Sequence, residues 1–275
     1  MKAFAPGSVT ALFAPTESGD ESMGASFAIE DGIVAEVRPA DYGDVSTATD
    51  SVARGATESV VTVDGDPTDF EPVGLALDAL SVTARVELTA EIPIGCGFGA
   101  SGAATLATAL AANAAFDLGK TREELLGISH RAEVTAGTGL GDVFVQEMGG
   151  LVVGNGTDRR RYDCETPVEY VSFGGISTEQ MLADADLMAR IERAGRRALD
   201  ALSAEPTLAA VTREGWKFTE EVELATEEVR EAVASAEDAG GVASMAMVGE
   251  TVFAAGTEGA LANRTRICPE GAGLL

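Results

Sequence analysis

Lysine is scarce in this chain: 275 residues contain only Lys2, Lys120 and Lys217. The remaining basic residues are arginines, and Asp plus Glu (45) far outnumber Lys plus Arg (19), for a net charge of -26. That imbalance disfavours nucleic acids and anionic membrane surfaces as partners. The acids are spread along the chain rather than run together, which argues against an acidic interaction tail. The pattern predicts a halophilic protein in a salty cytosol, where salt screens self-repulsion and acidic surfaces keep proteins soluble. Cysteine is also sparse. Cys96, Cys164 and Cys268 are far apart, odd in number and lack any C-x-x-C spacing. They predict reduced, packed thiols in a cytoplasmic protein rather than a disulfide framework or a zinc site. No signal peptide is expected, because Met1-Lys-Ala-Phe-Ala-Pro-Gly7 breaks too early. Residues 92–116 carry no charge, but they are rich in Gly, Ala, Ser and Thr and contain Pro93 and Asn113. That composition predicts a closely packed buried helix rather than a membrane span.

The most informative segment is Pro93-Ile-Gly-Cys-Gly-Phe-Gly-Ala-Ser-Gly-Ala-Ala104. It follows a strand-like run, Ala84–Ile92, and opens onto a helix-like run from about 100 to 117. A strand, a glycine-rich loop and a helix N-terminus together make an anion site. Glycine lets the backbone approach a phosphate, and the first unpaired N–H groups of the helix point at it. The segment lacks the Gly-Lys-Ser/Thr ending of a Walker A loop. Gly97, Gly99 and Gly102 match G-x-G-x-x-G. The expected acidic strand end about 20 residues on is replaced by an amphipathic helix over 121–136, so a dinucleotide fold is disfavoured. Ala103 occupies the last glycine position of a hydrolase elbow, G-x-S-x-G. The loop fits P-x-x-x-G-L-G-S-S-A-A better: Pro93, Gly97, Gly99, Ser101, Ala103 and Ala104 match. Phe98, Ala100 and Gly102 depart from it.

The pattern along the chain predicts an α+β protein. Residues 2–14 read as strand–turn–strand about Pro6-Gly7, and Ser26–Val37 as a hairpin turning at Asp31-Gly32. Ser59–Val63 reads as a strand and Phe70–Leu80 as a helix. Short strands are expected at Val143–Gln146, Gly150–Val153 and Val168–Phe173, with a polar linker over residues 155–167. Helices are expected at about 179–203, 206–216 and 219–236, followed by strands at Gly241–Val248 and Thr251–Ala255.

Phosphoryl transfer to an alcohol needs a phosphate cradle, Mg²⁺ and a group to orient or deprotonate the hydroxyl. The loop supplies the cradle. Ser101 and Glu133 are candidate Mg²⁺ ligands, since this ion takes few protein oxygens. Asp142 follows Gly137-Thr-Gly-Leu-Gly141 and precedes an apolar run, which marks it as a base or orienter for the acceptor. His130, the one histidine, lies one helical turn before Glu133 and beside Arg131. A cationic pair there suits a carboxylate substrate.

Together these residues resemble the GHMP small-molecule kinase superfamily, and within it the archaeal pantoate kinases. The resemblance runs through most of the chain. It includes the opening Ala3-Phe-Ala-Pro-Gly-Ser-Val-Thr-Ala-Leu-Phe13, the 93–104 loop, and His130-Arg-Ala-Glu-Val134 with Gly137-Thr-Gly-Leu-Gly-Asp142. Phe173–Thr178 and Gly241–Met247 resemble later motifs. The resemblance implies a ribosomal protein S5 domain 2-like N-terminal domain, residues 1–160, and a ferredoxin-like C-terminal domain, residues 161–275. It implies ATP-dependent phosphorylation of pantoate, or of a related acceptor such as homoserine, shikimate or mevalonate. ATP would contact Pro93, Gly95, Gly97, Phe98, Gly99, Ala100, Ser101, Gly102 and Ala103, and Mg²⁺ would sit on Ser101 and Glu133. Catalysis would fall to Asp142, Ser101 and Glu133. Substrate contacts would come from His130, Arg131, Ser22 or Ser26, and Ser177 or Thr178. The expected partner is a small molecule, with a homodimer allowed and neither nucleic acid nor membrane. Three departures stand out. Ser8 replaces a lysine common in the superfamily, Ala100 removes a loop serine, and no arginine lies near Gly154. Arg159, Arg160 or Arg161 are the candidates to replace it.

Overall fold

The computed structural model describes residues 1–17, 21–40, 58–156 and 158–275. Its first part runs β1 (Lys2–Pro15), β2 (Ser22–Pro39), β3 (Val60–Val63), β4 (Asp66–Pro67), α1 (Glu71–Ala79), β5 (Ala84–Ala90), α2 (Ala100–Ala115), α3 (Arg122–Ala136), α4 (Asp142–Met148), β6 (Leu151–Asn155) and β7 (Arg159–Tyr162). The remainder runs β8 (Pro167–Gly175), α5 (Thr178–Ala183), α6 (Ala185–Ala201), α7 (Leu208–Val222), α8 (Glu227–Asp238), β9 (Val242–Ala246), β10 (Gly249–Ala255), β11 (Asn263–Arg266) and β12 (Gly273–Leu274).

One sheet is ordered β12-β1-β2-β5-β3-β4, and the other, wholly antiparallel, β11-β8-β10-β9. The long β2 pairs with β1 on one edge and divides the other between two strands: Ile33–Pro39 with β5 and Met23–Phe27 with β6. This shared edge brings the glycine loop after β5 and the segment before β6 to the same middle stretch of β2, between Phe27 and Ile33. Phe27 of β2 meets Phe253 of β10 edge-to-face, with ring centroids 5.2 Å apart, so aromatic packing joins the two sheets. The alanine-rich α2 has twelve buried residues, which fits the expected close-packed buried helix. No described helix is long and apolar enough to cross a membrane.

Several expected elements differ. Pro6-Gly7 and Asp31-Gly32 are not turns. Both lie within long strands, at a register shift where Pro6 pairs with Gly32 and Gly7 with Ile29. The extra residues are absorbed as a bulge, and a side chain at Gly32 would strike the Ala5 carbonyl. Val143–Gln146 is helical rather than extended, because a four-residue apolar run has too little length to fix its period. Within the supposed 155–167 linker, Arg159–Tyr162 pairs with β6 as β7. The 179–203 helix is two helices, because Asp184 breaks the run and caps α6 by accepting from the Leu187 N–H at 3.0 Å. The break expected near 217 falls at Glu223, whose left-handed backbone (φ 61°) ends α7.

Candidate active site

A cleft of about 510 Å³ opens where the glycine loop, the Thr138–Asp142 loop and the ends of β1, β2 and β6 converge. Gly95, Gly97, Phe98, Gly99, Ala100 and Ser101 form one wall. The N-cap of α2 is Gly99, in the left-handed region (φ 60°), and no side chain caps the helix. Its first turn carries no acid. The N–H groups at this end have no carboxylate partner within their own turn, which favours an anion. The loop's outer side is braced by the second sheet. Thr251 donates its hydroxyl proton to the Cys96 carbonyl at 2.7 Å, and a side chain at Gly249 would overlap that carbonyl.

Glu133 lies in the last turn of α3, which ends at Gly137 in the left-handed region. This ending returns Thr138 over the carboxylate. Ser101 and Thr105 of α2 donate to Glu133 Oε1, each at 2.9 Å, and Thr138 donates to Oε2 at 2.9 Å. Glu133 is 3% exposed. Burial pushes its carboxyl up to about 7; the three hydroxyl donors pull it back, and the charge of Asp142 adds to the rise. A desolvated carboxylate with no cation partner among the described residues, beside a hydroxyl, is a hard-oxygen donor pair. It fits Mg²⁺, which keeps waters and phosphate oxygens in its remaining positions. No group of three or more Cys, His, Asp or Glu that could hold a metal occurs among the described residues.

Asp142 opens α4 and lines the cleft. Its Oδ1 accepts the Ser8 hydroxyl proton at 2.7 Å, across 134 residues of sequence. Burial raises its carboxyl above the ordinary range, and the Ser8 hydrogen bond opposes that rise. Its Oδ2 and Glu133 Oε2 both face the space a side chain at Gly139 would fill, at 3.4 and 3.3 Å from that position.

Among the described residues, Arg159 is the one cationic residue lining the cleft. It extends from β7 over Gly154 of β6, where a side chain on Gly154 would meet Arg159 Cγ at 3.1 Å. Its guanidinium sits 3.6 Å above the centre of the Phe144 ring and donates to Glu21 Oε2 at 3.0 Å. Behind Phe144 stands His130, with ring centroids 4.8 Å apart. Arg160 and Arg161 are exposed, and Arg161 pairs with Asp163 at 2.7 Å.

The structure thus gathers Ser101, Glu133 and Asp142, and it brings Ser22, Ser26 and Thr178 to the cleft lining. Ser26 shares a hydrogen bond with Thr10 at 2.9 Å. Other expected residues lie elsewhere. Arg131 is exposed and does not line the cleft, because it points off the outer side of α3. Ser177 caps α5, accepting from the Gln180 N–H at 3.3 Å. Pro93 is exposed at the loop's start, and Gly102 and Ala103 are packed behind the lining. His130 is one ring removed from the cleft. Sequence reasoning missed Thr105, Thr138 and Gln146, and saw Ser8 only as a departure. Thr138 stands within the Gly137–Asp142 motif, where nothing singles out its hydroxyl, and Thr105, Gln146 and Ser8 meet partners distant in sequence.

The GHMP kinases N terminal domain family matches residues 72–150, which include the glycine loop, Glu133 and Asp142. The chain is 30% identical over 266 residues to a pantoate kinase of Methanospirillum hungatei, covering 93% of this chain and 87% of that one. It is 26% identical to a pantoate kinase of Methanocaldococcus jannaschii, covering 91% and 90%. Among solved structures it is similar to a phosphotransferase related to the CoA biosynthesis pathway. That likeness has a TM-score of 0.80 at 24% identity, over 100% of this chain and 98% of that one. The fold is therefore shared with a phosphotransferase.

Proposed function

Because the chain belongs to the pantoate kinase family of GHMP kinases, we propose that it transfers the γ-phosphoryl group of ATP to the 4-hydroxyl of (R)-pantoate. The observation that carries the site assignment is a single juxtaposition: Asp142 lines the same cleft as the helix N-terminus at Gly99 and the cation of Arg159. The donor-rich end of α2 suits the ATP phosphates. Ser101 and Glu133 would hold Mg²⁺, which supplies neutralisation of phosphate charge during transfer. Asp142 accepts the proton of the attacking hydroxyl as the hydroxyl oxygen bonds to phosphorus and ADP leaves with the broken bridge. Burial, which raises its proton affinity, strengthens it as a proton acceptor.

The acceptor end of the cleft suits pantoate in three ways. Arg159 offers a guanidinium for the carboxylate, already fixed by Glu21 and Phe144. His130 supports it through Phe144. Val145 and Val152 present apolar surface for the two methyl groups. Thr10, Ser22 and Ser26 offer hydroxyls for the second alcohol. We also assign the ATP loop to an N-terminal unit of residues 1–160 and the smaller sheet to a C-terminal unit of 161–275. The four-stranded sheet, which falls within the latter span, supports this. The net charge of -26 supports a salt-rich cytosol as the working medium. Phosphorus NMR tests the reaction. ATP, Mg²⁺, pantoate and enzyme are expected to yield ADP and a phosphomonoester, and ADP with free phosphate alone would contradict the proposal.

A further inference from the structure

Behind the cleft lies a buried chain of hydrogen bonds that neither phosphate loop nor acceptor contacts require. Gln146 on α4 is fully buried. Its Nε2 donates to the Gly99 carbonyl at 2.7 Å and lies 3.4 Å from Ser8 Oγ. Its Oε1 is buried and has no partner among the described residues. Ser8 is 1% exposed; its N–H donates to the Phe98 carbonyl at 2.8 Å, and its hydroxyl donates to Asp142 Oδ1.

The donors and acceptors in this chain permit one direction only. A carbonyl cannot donate, so the amide NH₂ must face Gly99 and the amide oxygen must face away. The second N–H then points at Ser8 Oγ, whose own proton is left for Asp142. Asp142 Oδ1 is thereby engaged, and Oδ2 is left on the side of Gly139. Gly102 belongs to the same arrangement. Glycine inside a helix costs about 1 kcal/mol relative to alanine. A side chain at Gly102, however, would come within 2.9 Å of Gln146 Oε1 and 3.4 Å of Asp142 Cβ.

We propose that Gln146 is a positioning residue that, through Ser8, fixes the Asp142 carboxylate to the first carbonyl of the nucleotide-binding helix, and that Gly102 is kept small to admit it. The base and the phosphate loop then hold one relative position. The inference rests on the assignment of Asp142 as the group that addresses the acceptor hydroxyl.

The test is steady-state kinetics of Gln146→Leu, Ser8→Ala and the double variant, with Asp142→Asn alongside. Each single variant is expected to lose roughly 10- to 100-fold in kcat, the scale of one hydrogen bond to a charged group, with KM for ATP and pantoate holding. The double variant is expected to be no slower than the worse single one, because both break the same chain. Gly102→Ala gives a second reading: its added methyl displaces the Gln146 amide, and kcat is expected to fall while KM for ATP and pantoate holds. Full kcat in Gln146→Leu, multiplied losses in the double variant, or a rise in KM alone would overturn the proposal. Asp142→Asn separates the two claims. If it is inactive while Gln146→Leu is fully active, only the positioning proposal fails. If Asp142→Asn is itself fully active, the assigned role of Asp142 fails and the positioning proposal falls with it.

Discussion

The Ser101 hydroxyl donates to Glu133 Oε1 at 2.9 Å, joining the first turn of α2 to the last turn of α3. It meets a carboxylate pushed up to about 7 by burial. The folded protein therefore binds a proton at Glu133 that the unfolded chain has already released above about pH 4.5. Stability falls as pH rises from there to about 7, by on the order of 3 kcal/mol from this group. Glu133→Gln keeps acceptance from Ser101 and Thr105 without the charge. It is expected to melt higher than the wild type at pH 8 in the absence of ligands, to match it at pH 5, and to lose turnover. Thermal melts at both pH values check this; equal melting points at pH 8 would contradict it.

Asp142→Ala is expected to lower kcat by about 10²- to 10⁴-fold, the usual scale for removing a positioned base. ATP affinity should persist, because the loop and the α2 N-terminus are untouched. Single-turnover kinetics with a nucleotide-binding titration separate the two effects.

Arg159→Ala should raise KM for pantoate roughly 10- to 100-fold while KM for ATP holds. Arg159→Lys is expected to rescue only partly, because an ammonium lacks the planar fork and the stacking on Phe144. Arg160→Ala and Arg161→Ala, at exposed positions, serve as comparisons with little expected effect on KM.

Thr251→Val preserves shape but leaves the Cys96 carbonyl without its hydroxyl donor. For this half-buried carbonyl the cost is at most about 1–3 kcal/mol, the range for a buried unsatisfied group. The expected result is a weaker grip on ATP, with KM for pantoate unchanged. Isothermal titration with an unhydrolysable ATP analogue checks it.

The net charge of -26 makes self-repulsion large in dilute buffer. Salt screens such repulsion over about 10 Å at 0.1 M and about 3 Å at 1 M. Melting temperature and activity should both rise with KCl into the molar range. Full stability in dilute buffer would contradict the halophilic assignment.

The glycine loop, α2 and α3 were legible in the sequence because each combines length, period and a terminal signal. Thr121 with Glu124 forms a capping box at the start of α3, and Gly137 ends it. Ser101 and Glu133 are legible as candidates from their places on those elements, and Asp142 from the glycines that precede it. What was not legible depends on tertiary pairing. Asp31-Gly32 carries the local signal of a turn, but the pairing of β2 with β1 draws it into a strand. Arg159 is one of three adjacent arginines: alternation in β7 sets Arg160 apart from the other two, and the pairing of Arg159 with Gly154, rather than that of Arg161 with Val152, brings Arg159 to the cleft. Gln146 sits in a helix too short to declare its period, and Ser8 touches its partner 134 residues away. Arg131 was drawn in by its neighbour His130, although adjacent helical residues point in different directions.

The most direct test of the central claim is kcat/KM for ADP release in molar KCl with Mg²⁺ and ATP, compared across (R)-pantoate, homoserine, shikimate and mevalonate. The account predicts turnover that requires pantoate and is far weaker with the others. Preferred turnover of another acceptor, or ATP binding without turnover of any, would contradict it.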